Sequence, residues 1–308
     1  MLEHRYTSTS TKLLQHPDRF MEWKQGILRP IALQLGPTDS CNLNCSFCSG
    51  KNRVGDELDY GCITKALIDL QDLGLEAVEI TGGGEPSLYP HFNDLIDCMH
   101  SMGLTLGMVS NGVGLARRIK PESADKLQWL RISLNAFDLV NRIDIPPVKG
   151  TLGYSYVVHD GTSKDAVVKI RAQIQSRPPA YFRILNNCLT TETMEQGRKI
   201  AAELGLILFD NSFFQTKIYD VPHHCQIGYL KPFLAPDGFF YHCSAHALIA
   251  RRFDNHWRMG RWDEVAQIWG GKAKPFDTSL CQTGKCFFKD HNDLIDLIQM
   301  DIQHSSFL

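Results

Sequence analysis

No apolar run in this 308-residue chain reaches the length that crosses a bilayer. Residues 1–11 are polar and hold no hydrophobic h-region, so they do not read as a secretory signal. An excess of one charge is also lacking. Lys and Arg total 32 against 34 Asp and Glu, and the longest basic runs are pairs such as Arg117-Arg118 and Arg251-Arg252. A net charge of −2 offers no broad electrostatic footprint for nucleic acid. Neither a nucleic acid nor a membrane is therefore an expected partner. Cysteine, by contrast, is plentiful, with ten in the chain. A disulfide framework is not expected at this length without a secretory signal, so the thiols point to a reducing, cytoplasmic location.

Three of the cysteines fall within eight residues, in Cys41-Asn-Leu-Asn-Cys45-Ser-Phe47-Cys48. Three thiolates so spaced can hold three irons of a [4Fe–4S] cluster and leave the fourth open to a small molecule. An open position is also what separates a catalytic zinc site from a structural one. A structural zinc site usually takes four N or S ligands in two pairs. Here the next histidine after the triplet is His91.

Hydrophobic periodicity predicts β/α alternation from Ile31 to Gly205. Strands are expected at Ile31–Gly36, Ala77–Thr81, Leu104–Val109, Trp129–Leu134, Leu152–Val158 and Tyr181–Asn186. Helices are expected at Ile63–Leu73, His91–Ser101, Ser163–Ser176 and Thr191–Leu204. Six such units imply a parallel sheet curling toward a barrel, in which function sits at the C-terminal strand ends. The cysteine triplet follows the first expected strand. Gly82-Gly83-Gly84-Glu85-Pro86 follows the second. Glycines there allow close backbone approach, and free carbonyls with Glu85 can accept from an ammonium group.

The Cys-x3-Cys-x2-Cys spacing, with Phe47 just before the last cysteine, resembles the radical S-adenosylmethionine (SAM) enzymes. The resemblance covers roughly the first two thirds of the chain. It implies a partial (β/α)6 TIM-like barrel, an α/β fold. It implies a cluster on Cys41, Cys45 and Cys48 whose open iron chelates SAM. Reduction then yields a 5′-deoxyadenosyl radical. Gly83, Gly84 and Glu85 stand where the family's GGEP motif holds the SAM amino group. Ser110, Asn111, Ser133 and Asn135 lie at strand ends that contact the SAM ribose and carboxylate in relatives, many of which carry Asp at the last position.

After Gly205 the pattern changes to short strands. Leu230–Leu234 and Phe239–Cys243 flank Asp237-Gly238, a favoured hairpin turn pair. Cys225, Cys243, Cys281 and Cys286 come from three loops. They resemble the α+β twitch domain, a shortened SPASM domain that carries one auxiliary [4Fe–4S] cluster. The intervening segment 260–269 resembles the short helix of such domains. Four cysteines suit zinc equally in number. His223, His224, His242 and His246 lie nearby and read as solvated or supporting groups. Cys62, Cys98 and Cys188 read as core residues.

The expected organisation is an N-terminal extension at 1–30, a radical SAM barrel at 31–210 and a twitch-like domain at 211–308. The expected cofactors are two [4Fe–4S] clusters and SAM, with flavodoxin or ferredoxin as reductant. The expected reaction is hydrogen abstraction from a small polar substrate: a sugar, cyclitol, nucleoside or amino-acid derivative. Arg131 and Arg183 are candidate anchors for its carboxylate or phosphate. Two alternatives stay open. One is a ribosomal peptide maturase of the SPASM type, which the short segment before the first strand disfavours. The other is a non-enzymatic zinc or iron–sulfur protein.

Overall fold

The computed structural model describes residues 2–159, 161–187, 194–206, 210–215, 220–250, 255–281 and 286–303. Cys188 and the pair Arg251-Arg252 lie outside them. Six parallel strands form as the periodicity predicts: β1 (Ala32–Leu35), β2 (Ala77–Ile80), β3 (Thr105–Ser110), β4 (Leu127–Ser133), β5 (Thr151–Val158) and β6 (Tyr181–Asn186). Their outward positions are apolar and buried, among them Leu33 and Leu35 on β1, Val78 and Ile80 on β2, and Phe182 and Ile184 on β6. Helices at Tyr60–Asp72, Phe92–Ser101 and Lys164–Ser176 bury matching faces, such as Ile63, Leu67 and Leu70. Asp59 caps the first of these by accepting from the Cys62 amide at 3.0 Å. Ser163 caps the third by accepting from the Ala166 amide at 3.0 Å.

The inward positions are different in kind. Gln34, Glu79, Gly107, Arg131 and Arg183 line a cavity of about 800 Å3. A side-chain-filled TIM barrel is a packed core. Here the strand interior is polar and open to a ligand.

The sheet runs further than six strands. Strand β7 (Ser212–Phe214) adds in parallel to β6. Strand β8 (His224–Cys225) belongs to a separate two-stranded sheet. Strand β9 (Phe233–Leu234) pairs in parallel with β1, Gln34 opposite Phe233, and carries β10 (Phe239–Tyr241) and β11 (Arg258–Arg261) antiparallel beyond it. Among the described residues one ten-stranded sheet thus crosses the division expected at 210/211 on both edges. The expected hairpin forms around Gly238, whose φ of +82° suits a residue without Cβ. Its first arm is shorter than expected, because Ile227–Leu230 is helical. That turn is fixed by Trp269, whose indole donates to the Tyr229 carbonyl at 3.0 Å. Trp269 ends the helix Val265–Trp269, which lies within the segment expected to be helical.

The N-terminal residues close the opposite end of the sheet. Tyr6 stacks on Tyr181 at 4.5 Å between ring centroids, and Tyr6, Thr7 and Lys12 line the cavity.

Gly107 is the inward residue of β3 that leaves room for the Trp129 indole; a Cβ there would overlap that ring. Gly107→Val is expected to cost about 1–3 kcal/mol, the usual range for overpacking. Urea denaturation measures it, and a wild-type midpoint would refute this packing.

Candidate active site

The loop after β1 carries the cysteine triplet and is held by polar side chains rather than by regular structure. The Asp39 carboxylate accepts from the amides of Val54 at 2.9 Å and Gly55 at 3.0 Å. Arg53 reaches back into the loop. It donates to the carbonyls of Leu43 and Gly83, each at 3.0 Å, and to the Cys48 sulfur at 3.4 Å. One guanidinium therefore joins the cysteine loop, the Gly-rich turn and the Cys48 thiol. Nothing in the sequence pattern singled out Arg53.

Burial pushes the Cys41 thiol up, and it pushes Cys45 up to about 11, with the neighbouring thiols adding to both. Three thiolates held together repel one another, and cationic iron removes that cost, so the donor set suits an iron–sulfur group. Among the described residues, no three Cys, His, Asp or Glu side chains stand close enough to share a single metal ion. A cubane uses one thiolate per iron.

The Gly-rich turn after β2 packs on this loop. A Cβ on Gly84 would meet the backbone of Asp39 and Ser40, and the Glu85 amide donates to the Ser40 carbonyl at 2.8 Å. The requirement for glycine at Gly84 thus comes from the chain's own backbone. Glu85 is buried, and its carboxylate accepts from four protein donors. These are the Ser87 amide at 3.3 Å, the Ser87 hydroxyl at 2.8 Å, the Ser110 hydroxyl at 2.8 Å and the Asn111 amide at 2.8 Å. Burial raises its pKa, while those donors pull it back. Glu85 ties the β2 turn to the β3 turn, where the sequence reading gave it an ammonium to hold.

Asn111 faces the cysteine loop, donating to the Asn42 side chain at 2.8 Å and toward the Cys41 sulfur at 3.9 Å. Ser110 is buried on Glu85. Ser133 closes β4 without a side-chain hydrogen bond among the described residues. Asn135 departs from expectation. Its amide is spent on the Val157 backbone, accepting at 2.7 Å and donating at 2.9 Å, with Asp138 at 3.1 Å. It fastens β4 to β5 and is not free for a ligand.

Sequence reasoning missed a buried group beside Phe47. His159 stacks on the Phe47 ring at 4.8 Å between centroids and donates through Nε2 to Asp138 at 3.0 Å. Its Nδ1 accepts from the Gly161 amide at 3.1 Å, which fixes that tautomer. The Tyr156 hydroxyl donates to the other Asp138 oxygen at 2.8 Å. The network sets the orientation of Phe47.

The four C-terminal cysteines all line one cavity. Strand β8 pairs with β12 (Phe276–Asp277), which sets Phe276 opposite Cys225. Burial first, then the neighbouring thiols, raise Cys225 and Cys281 to about 12 and Cys286 to about 11. The Cys243 thiol contributes to the upward shift of all three. The Asn292 amide donates to the Cys225 sulfur at 3.7 Å and the Phe288 amide to the Cys286 sulfur at 3.2 Å. Residues 282–285 lie outside the described residues, as does the His246 side chain. His224 pairs with Asp296 at 3.0 Å, and His242 packs between Tyr229 and Phe276. Cys48 and all four of these cysteines line the same cavity.

Comparison with known proteins agrees with this arrangement. Residues 35–146 match the family model of the radical SAM superfamily. An S-adenosylmethionine-dependent nucleotide dehydratase of a Thermoplasmatales archaeon (strain ISO4-H5) is 26% identical over 110 residues, 36% of this chain and 40% of that protein. The mycofactocin maturase MftC of Mycobacterium tuberculosis is 35% identical over 115 residues, 36% of this chain and 28% of that one. The chain thus spans well under half the length of these relatives. Streptococcus suis SuiB bound to S-adenosylmethionine has the same fold, with a TM-score of 0.57 at 15% identity over 90% of this chain and 74% of that one. The protein anSMEcpe, bound to AdoMet and a peptide, gives 0.50 at 14% identity over 88% and 84%. Residues 35–146 thus carry a radical SAM domain. Beyond that domain the sheet continues into a C-terminal region, and the fold as a whole is similar to that of SuiB.

Asn135→Ala removes a buried amide and leaves the Val157 backbone unpaired. The expected cost is about 1–3 kcal/mol, read as a lowered denaturation midpoint. Asn135→Asp should be destabilising too, since a carboxylate would face Asp138 and lacks the donor for the Val157 carbonyl. An undiminished midpoint in both variants would refute the fastening role.

Proposed function

We propose that this protein is an enzyme that cleaves SAM reductively and abstracts hydrogen from a small polar substrate held in the barrel cavity. The observation that carries the reading is the single cavity. It runs from Phe47 and Cys48 at the strand ends to Cys225, Cys243, Cys281 and Cys286 in the C-terminal region. Cys41, Cys45 and Cys48 would hold the SAM-binding cluster, and the four C-terminal cysteines an auxiliary one. When bound, these groups supply a low-potential electron, an abstracting radical and a second site for electron transfer or substrate binding.

The chain's own residues then do the positioning. Arg53 fixes the cysteine loop against the Gly-rich turn. The carbonyls of that turn receive the SAM ammonium in this reading, with Glu85 holding the turn in place from behind. Phe47, set by His159 and Asp138, offers a flat apolar face to the adenine. The N-terminal residues Tyr6, Thr7 and Lys12, with Leu230 and Lys231 just before β9, line the cavity and would help to shield the reaction from water. A flavodoxin or ferredoxin is the fitting reductant. Residues 31–210 then serve as the SAM-cleaving unit and 211–308 as the auxiliary-cluster region. Among the described residues no helix is long and apolar enough to cross a membrane.

Peptide maturation is the second reading. The charged groups on the cavity wall, among them Lys12, Arg131 and Arg183, favour the small-molecule reading.

Full-length protein reconstituted anaerobically with iron and sulfide is expected to bind about eight irons, four per cluster. It should form 5′-deoxyadenosine from SAM and reductant. Replacing Cys41, Cys45 or Cys48 by Ala should abolish that cleavage and leave about four irons. Replacing the C-terminal four should also leave about four irons, with SAM cleavage retained and substrate turnover lost. Tightly bound zinc in anaerobically purified protein, or full cleavage in a Cys41, Cys45 or Cys48 variant, would overturn the reading.

A further inference from the structure

The middle of the cavity carries more positive charge than its own acid can balance. Four cations line it: Lys12 from the N-terminal segment, Arg131 on β4, Arg183 on β6 and Lys231 just before β9. The acid among them is Glu79 on β2. It pairs with Lys231 at 3.0 Å and with Arg131 at 3.4 Å, and it accepts from Gln34 at 3.3 Å. Burial opposes ionisation of Glu79, yet Lys231, Arg131 and Arg183 outweigh it and hold its carboxyl at about 2. Glu76 also lines the cavity but is engaged by Arg19 at 3.6 Å and His16 at 3.6 Å. Glu3 acts on Arg183 only as its weakest influence.

Two of the cations have no ion pair within the described residues: Lys12 and Arg183. The Arg183 Nε is buried without a hydrogen-bond partner, and so is the Arg131 Nε. A buried guanidinium nitrogen left unsatisfied is a standing cost that a bound anion removes. Three groups feel the surplus, each after the larger effect of burial. Burial and then Arg131 lower Arg183 to about 9. Burial and then Lys231 lower Lys12. Burial, then Lys231 and Lys12, lower His291 to about 4. Each is a cation destabilised by cations of other elements, so the positive potential belongs to the cavity and not to one residue.

We infer that this mid-barrel site binds a phosphate-bearing group, so that the substrate is a phosphorylated small molecule. The inference rests on the cavity being the substrate site and names the substrate's chemical class. The charge count selects phosphate over a lone carboxylate. Four cations against Glu79 leave a surplus of three, and a phosphomonoester brings about −1.5 to −2 at neutral pH where a carboxylate brings −1. Two arginines from alternate strands also supply the forked donors that match phosphate oxygens, while the lysines act as point charges. The site lies between the cysteine loop at the strand ends and the N-terminal floor. A phosphate anchored there leaves the rest of the molecule to extend toward Phe47 and Cys48.

The test is a direct binding measurement on the reconstituted full-length protein, with neither SAM nor reductant present. Inorganic phosphate, inorganic pyrophosphate and succinate are the probes, titrated by calorimetry at low salt. Phosphate or pyrophosphate should bind at least tenfold more tightly than succinate. Lys12→Met and Arg183→Gln should each weaken it by tenfold or more, while Arg183→Lys should recover most of the loss. Circular dichroism melts confirm that each variant is folded. Succinate binding as tightly as pyrophosphate, no binding of any probe, or pyrophosphate affinity unchanged in both charge-removing variants would overturn the assignment. Because the readout needs no SAM cleavage, its failure leaves the radical reading standing. A failure of 5′-deoxyadenosine formation likewise leaves the anion site standing.

Discussion

The period of two along a β-strand is the constraint on which the rest of this molecule depends. In each barrel strand the outward residues are apolar and sealed by helices, so the sheet is stabilised from one side. The inward residues are thereby released from core duty. Gln34, Glu79, Arg131 and Arg183 stand opposite one another inside, where a conventional barrel would pack Val and Leu. Desolvating such groups is costly, and the structure meets the cost with a network of ion pairs around Glu79 and a cavity left open above it.

The strand ends carry a second kind of organisation. Three loops from β1, β2 and β3 are locked together by buried polar side chains with few alternatives. Glu85 draws donors from the β2 and β3 turns, and Arg53 spans the cysteine loop and the Gly-rich turn. These contacts are short and numerous, so the three loops hold one another in place. Asp138, His159 and Tyr156 do the same on the β5 side for Phe47. Such preorganisation is what a site needs if it is to hold a reactive species without rearranging around it.

The C-terminal region is an extension of the barrel sheet. Strand β9 pairs with β1 and carries β10, so the strand that leads into Cys243 is registered against the strand that leads into Cys41. That registry makes the placement of Cys243 relative to Cys41 a property of the sheet and not of a linker, while Cys225 sits on the separate β8–β12 pair.

The alternation of β and α units and the triplet spacing were legible because each depends on local pattern. Strand β6 falls at its expected limits, and the caps Asp59 and Ser163 sit where short-range hydrogen bonding demands. Residue roles that depend on which loop lies across from which were not legible. Glu85 and Asn135 carry the side chains a ligand would want, yet tertiary contacts claim both. Arg53, His159 and Lys12 lie in no motif, and they acquire meaning only when loops distant in sequence meet them. The sequence by itself determined the chemistry available, because thiol number, spacing and strand periodicity are written locally. The tertiary structure alone decided which polar groups are spent on the fold and which are left facing the cavity, because hydrogen-bond partners and charge neighbours are set by long-range packing.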